Sequence, residues 1–126
     1  MKVDIWSDIR CPFCYIGKRK FEMALAEFEH KHEVEIEWHS FELDPNVATV
    51  LNKSSYDYLA ERYGKSREWA VETHKHVTQT AAEVGLTFDF DRSVIANSFD
   101  AHRLIQMAKQ YSVADLVEES LFKAHF

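Results

Sequence analysis

The chain has two cysteines, Cys11 and Cys14, with Pro12 and Phe13 between them. At the start of a helix this spacing puts both sulfurs on one turn, where they can close a small disulfide at little cost in loop entropy. A helix N-terminus also presents free N–H groups and a partial positive charge, which favour thiolate over thiol. Cys11, at the helix end, is expected to be the exposed nucleophile, with a pKa below that of a free thiol, forming a mixed disulfide with its partner. Cys14, further into the turn, is expected to resolve that intermediate. Pro12 stiffens the turn and gives up a donor that the first helical turn does not use. Phe13 sets an apolar ring beside the sulfur, and Trp6 is read either as part of the same contact surface or as strand core. Arg10, directly before Cys11, is read either as an extra stabiliser of the thiolate or as a solvated side chain.

The alternatives for a lone cysteine pair are weaker. A structural zinc site needs four ligands, and there is no second CxxC. His30 and His32, like His74 and His76, are two positions apart and would fall on different sides of a helix. No metal site is therefore expected, and His102 is assigned to polar packing inside a helical block. A secreted disulfide scaffold would carry several dispersed pairs. The formal charge is −6 with no basic run, so neither nucleic acid nor an anionic membrane is an expected partner. The apolar stretches are far too short for a spanning helix, and Met1-Lys2-Val3-Asp4 opens no signal-peptide core. A cytoplasmic protein is the resulting expectation.

The 126 residues are 46% hydrophobic and 13% aromatic, enough for a core, and three glycines and two prolines allow long uninterrupted elements. Lys2 to Trp6 alternates as a strand, with Ser7 and Asp8 breaking it. From Cys14 to about His30, Ile16, Phe21, Leu25 and Phe28 recur at helical spacing. Glu33 to Phe41 alternates again, so the first forty residues predict a βαβ unit with parallel strands. After Asp44-Pro45 the pattern is helical. Ser54 or Ser55 caps a helix closed by Gly64, and Ser66 caps a longer one closed by Gly85. Leu86 to Phe90 is an extended link, a further helix runs to Tyr111, and Ser112 with Asp115 predicts a capping box for the last. Two parallel strands leave Val3, Ile5, Ile36 and Trp38 uncovered and an edge open, which predicts either further strands from missing chain or a homodimer.

The segment Ser7-Asp8-Ile9-Arg10-Cys11-Pro12-Phe13-Cys14-Tyr15-Ile16-Gly17 resembles the active-site signature of the FrnE-type branch of the DsbA-like thioredoxin-fold oxidoreductases. Asn97-Ser98-Phe99-Asp100-Ala101-His102-Arg103-Leu104 resembles that branch's helical-insert motif, and Leu121-Phe122-Lys123-Ala124-His125-Phe126 the segment soon after it. The resemblance implies an α/β fold: a thioredoxin-like βαβ start over residues 1–43, then a mostly helical insertion domain over 44–126. Members continue into a loop with a cis-proline facing the CxxC, then further strands and a final helix. Pro12 and Pro45 are the only prolines and neither fits that place, so the chain is expected to be truncated.

The resemblance implies a thiol–disulfide oxidoreductase or isomerase acting on protein thiols and disulfides, with no bound cofactor beyond the redox-active disulfide itself. The same family holds kappa-class glutathione transferases and 2-hydroxychromene-2-carboxylate isomerases, which typically carry serine where Cys11 stands. A glutathione-dependent enzyme of small molecules, with glutathione as co-substrate, is thus the alternative. A helical interaction module with a static bond is the third reading.

Overall fold

A computed structural model describes residues 1–126. Strand β1 (Lys2–Ser7) leads through a short turn into helix α1 (Pro12–Glu27), and a 3-10 turn at Lys31–Glu33 precedes strand β2 (Glu35–Ser40). Helices α2 (Ser55–Tyr63), α3 (Arg67–Ala82), α4 (Phe99–Lys109) and α5 (Ala114–His125) complete the chain. The strands are parallel, in a register that sets Val3 beside Ile36 and Ile5 beside Trp38. This is the expected βαβ start followed by helices, with α1 beginning at Pro12 rather than Cys14 and ending before His30.

Local chemistry fixes most helix ends. The Ser54 and Ser66 side chains accept from the N–H groups of Asp57 and Trp69, capping α2 and α3. Gly64, at φ 60°, takes the left-handed conformation that closes α2 at no steric cost. The capping box expected at Ser112 does not form. Ser112 is left-handed at φ 57°, and Val113 donates its N–H back to Ala108. Ser112 is therefore spent on ending α4, and α5 has Val113 at its N-cap with no side-chain cap. Leu86–Asp89 forms neither helix nor strand and Phe90 lies in a turn, while an isolated antiparallel bridge joins Val50 and Ile95.

One apolar cluster joins both ends of the sequence. Ile9, Tyr15 and Ile16 meet Val77 and Ala81 of α3, the Leu86–Phe90 link, Ile105 of α4 and Phe122 of α5. Phe122 is fully buried and stacks on Tyr15 at 4.7 Å, with the rings 5° from parallel. Such a pair contributes about 1 kcal/mol beyond its burial. Trp38, expected on an uncovered face, is instead buried: Lys18 of α1 lies over its ring at 5.8 Å. Val3, Ile5 and Ile36 stay half-buried.

His74 stacks on Phe90 at 4.0 Å, and its Nδ1 has no hydrogen-bond partner. Burial lowers its pKa from 6.5 to about 4. The unfolded chain therefore takes up a proton below pH 6.5 that the fold refuses until about pH 4, so stability from this group is full above 6.5 and lost as pH falls. His74→Phe is expected to stabilise the protein by about 2 kcal/mol more at pH 4.5 than at pH 7.5. Denaturant unfolding at both pH values checks this; equal effects at the two would refute it.

Candidate redox site

The β1–α1 turn builds the site. Cys11 is the N-cap of α1 with extended backbone, its N–H donates to the Asp8 carbonyl at 2.9 Å, and Pro12 fills the first helical position. The Cys14 N–H donates to the Cys11 carbonyl at 3.1 Å. Both cysteines are half-buried and free.

The two thiols lie near each other. In the reduced pair the neighbouring Cys11 thiol favours the Cys14 thiolate and lowers Cys14 to about 6 in spite of burial, with help from the Asp8 backbone. The neighbouring sulfur and burial push Cys11 up, although the N–H groups of Cys14 and Phe13 work in the opposite direction. The expectation of a lowered Cys11 pKa is thus corrected: the neighbouring sulfur outweighs the helix N-terminus. The pair loses its first proton well below the ordinary thiol value of about 8.5.

The sulfurs face different spaces. Cys11, Pro12 and Phe13 line a groove of about 510 Å³ between the turn and α2 and α3, walled by Tyr58, Leu59 and Trp69. Cys14 lines a smaller cavity of about 350 Å³ against the sheet, with Ile5, Trp6 and Trp38. Phe13 is exposed, consistent with a contact surface. Trp6 is exposed too and stacks on His39 at 4.6 Å, which excludes the reading of Trp6 as strand core. The Arg10 guanidinium donates to Tyr58 Oη at 3.1 Å and lies over that ring, so its hydrogen bond goes to the groove wall and not to sulfur. His125 also lines the groove, held neutral by burial and by Arg10, which lower its pKa to about 4.

Residues 2–126 match the DSBA-like thioredoxin domain. The chain belongs to the DsbA-like thioredoxin domain family. A solved relative, a probable DsbA oxidoreductase from Streptomyces coelicolor, superposes with a TM-score of 0.91 at 36% sequence identity over 100% of this chain and 54% of its own. The uncharacterised protein YwbO of Bacillus subtilis is 40% identical over 60 residues, covering 45% of this chain and 28% of YwbO. The chain thus spans about half of the solved relative and under a third of YwbO.

This DsbA-like site also uses residues that sequence reasoning passed over. Asp8, read as a strand breaker or cap, is 1% exposed. Its carboxylate accepts from the N–H groups of Arg10 at 3.2 Å and Leu43 at 2.8 Å, and meets His102 Nε2 at 3.3 Å. Burial pushes its pKa up, but those hydrogen bonds prevail and hold it below the usual carboxylate range. Its position directly ahead of a CxxC was the one available signal. His102, expected to serve polar packing inside the helical block, instead meets Asp8 of the β1–α1 turn, outside that block. Glu118 and Lys18 carried no signal, since their setting depends on α5 reaching α1. Asp4, Glu37 and His39 lie close enough together to hold a cation, but the Lys2 ammonium already pairs with Asp4 and Glu37.

No helix is long and apolar enough to cross a membrane.

Proposed function

We propose that the chain carries the dithiol half of a thiol–disulfide oxidoreductase of the FrnE-type branch, with Cys11 as nucleophile and Cys14 as resolving thiol. The observation that carries this reading is the pair itself: two free thiols near each other at the start of α1, Cys11 lining the larger groove and Cys14 the smaller cavity against the sheet. Cys11, at the N-cap of α1 and lining the larger groove, is the sulfur offered to a substrate disulfide. Its thiolate displaces one sulfur of a substrate disulfide, forming Cys11–S–S–R and releasing the other half as thiolate. Cys14 then attacks Cys11 Sγ, closing the Cys11–Cys14 bond and releasing R–S⁻, which takes a proton from solvent. The substrate gains two electrons and the dithiol loses them.

The branch assignment is supported by the Ser7–Gly17 and Asn97–Leu104 motifs. A protein disulfide is the proposed substrate, because Phe13 and Trp6 offer exposed apolar surface on the two sides of the pair. Glutathione as co-substrate for a small molecule is the competing outcome. The test offers the reduced natural protein a folded protein disulfide and, separately, a glutathione-dependent small-molecule reaction. Faster turnover of the protein disulfide is expected; turnover confined to the small molecule would overturn the reading.

A further inference from the structure

Four of the six arginines, Arg19, Arg62, Arg67 and Arg103, pair with carboxylates. Arg92 does not, but it is exposed and water serves it. Arg10 is the exception. It is half-buried, it immediately precedes the nucleophilic cysteine, and the phenol of Tyr58 is the one hydrogen-bond partner of its guanidinium, at 3.1 Å. The Asp8 carboxylate accepts from the Arg10 backbone N–H, not from the guanidinium. A partly desolvated cation without an opposite charge is costly to keep, and a guanidinium has five N–H donors to offer.

The guanidinium is also held in place. It lies over the Tyr58 ring at 5.5 Å from the centroid, and Tyr58 is fixed in turn by donating its hydroxyl to Asp44 at 3.2 Å. Asp44 is taken by Arg62, so it does not neutralise Arg10. Arg10, Cys11, Asp44, Tyr58 and Arg62 all line the 510 Å³ groove. His74 and His125 line it too, but burial holds both neutral near pH 7, with Arg10 adding to the effect at His125. Two guanidiniums against one carboxylate leave the groove net positive in a chain of formal charge −6.

Resting on the dithiol reading above, we propose that Arg10 selects the substrate. It binds the carboxylate of an aspartate or glutamate that flanks the disulfide cysteine of a protein substrate, while Cys11 attacks that disulfide. A planar guanidinium suits this role, because it can grip a carboxylate with two parallel hydrogen bonds. The apolar wall of Phe13, Leu59 and Trp69 suits the side chains around a cysteine in a protein, which glutathione lacks.

The experiment uses the reduced natural protein and two short peptides, identical but for aspartate or asparagine on both sides of their one cysteine. Each peptide is joined by a disulfide to a neutral aromatic thiol that absorbs once freed. The Cys11 thiolate attacks the peptide sulfur and forms Cys11–S–S–peptide. The old S–S bond breaks with its electron pair on the aromatic thiolate, which takes a proton from solvent. The aspartate-to-asparagine rate ratio is divided by the same ratio measured with 2-mercaptoethanol. Reading a ratio within each protein cancels any effect of Arg10 on the Cys11 thiolate itself. Wild type is expected to prefer the aspartate peptide about tenfold, and Arg10→Met to lose that preference. Absence of a preference in wild type, or its survival in Arg10→Met, would overturn the proposal and leave the dithiol reading intact. Glutathione joined to the same aromatic thiol is the third substrate. If it outpaces the aspartate peptide and loses that lead in Arg10→Met, Arg10 serves glutathione and the proposal of a protein segment falls. A wild-type protein that opens none of the three would instead refute the dithiol reading. Should Arg10→Met fail to fold by circular dichroism, Arg10→Lys decides, since it keeps the charge without the fork: a reduced preference supports the proposal and an unchanged one refutes it.

Discussion

Cys11→Ser is expected to end disulfide turnover completely, and Cys14→Ser to stop it after a single covalent event. A serine hydroxyl in place of Cys11 leaves the groove without a thiolate, and Cys14 lines a separate cavity on the sheet side. With Cys14 replaced, Cys11 still attacks, but nothing displaces the bound half. The mixed disulfide should then accumulate as one adduct per chain, visible as an intact-mass increase that a reductant reverses. The Cys14→Ser change also removes the sulfur that raises the Cys11 thiol, so alkylation of its Cys11 should reach half-maximal rate at lower pH than Cys11 in the reduced wild type. A Cys11→Ser protein that accumulated the mixed disulfide on Cys14 would show that the roles are reversed.

The second large effect is on stability. Asp8→Ala should cost about 3 to 5 kcal/mol, the range for removing one partner of a buried charge-assisted contact. The carboxylate ties together three segments: the turn itself through the Arg10 N–H, the exit from β2 through the Leu43 N–H, and α4 through His102. Alanine would leave two partly buried backbone donors and a buried histidine nitrogen without their partner. Against a typical domain stability of about 5 to 15 kcal/mol, that is a major fraction. Asp8→Asn keeps an oxygen for the backbone donors and should recover part of the loss. Chemical denaturation measures both, and an alanine variant as stable as wild type would show that the carboxylate only fills space.

The parts of this fold that the sequence makes legible are those governed by neighbours in the chain. The strand alternation of Lys2–Trp6, the Ser54 and Ser66 caps and the closure at Gly64 are set within a few residues, and they stand where expected. Ser112 shows the limit of that rule. Its spacing to Asp115 fits a cap, but with so little chain between α4 and α5 the same residue had to end the earlier helix, and ending it prevailed. The cysteine pair was legible as chemistry because CxxC spacing is local. Its proton distribution was not, because it depends on how near the two sulfurs lie and on what buries them. Asp8 and Trp38 take their character from partners far along the chain: His102 for Asp8 and Lys18 for Trp38. No periodicity carries that information.

The contact between Asp8 and His102 spans 94 residues. Synthesis at roughly 5 to 20 residues per second puts about 5 to 20 seconds between the two ends of that contact leaving the ribosome. Both cysteines emerge at the start of the interval and their anchoring histidine at its close. During it the thiols are carried on unanchored chain, with titration closer to that of ordinary cysteines, and a pairing of long sequence separation is slow to form. The newborn chain is therefore a poor exchange catalyst until α4 docks, so the timing of translation itself withholds the reactive pair until the molecule around it is built.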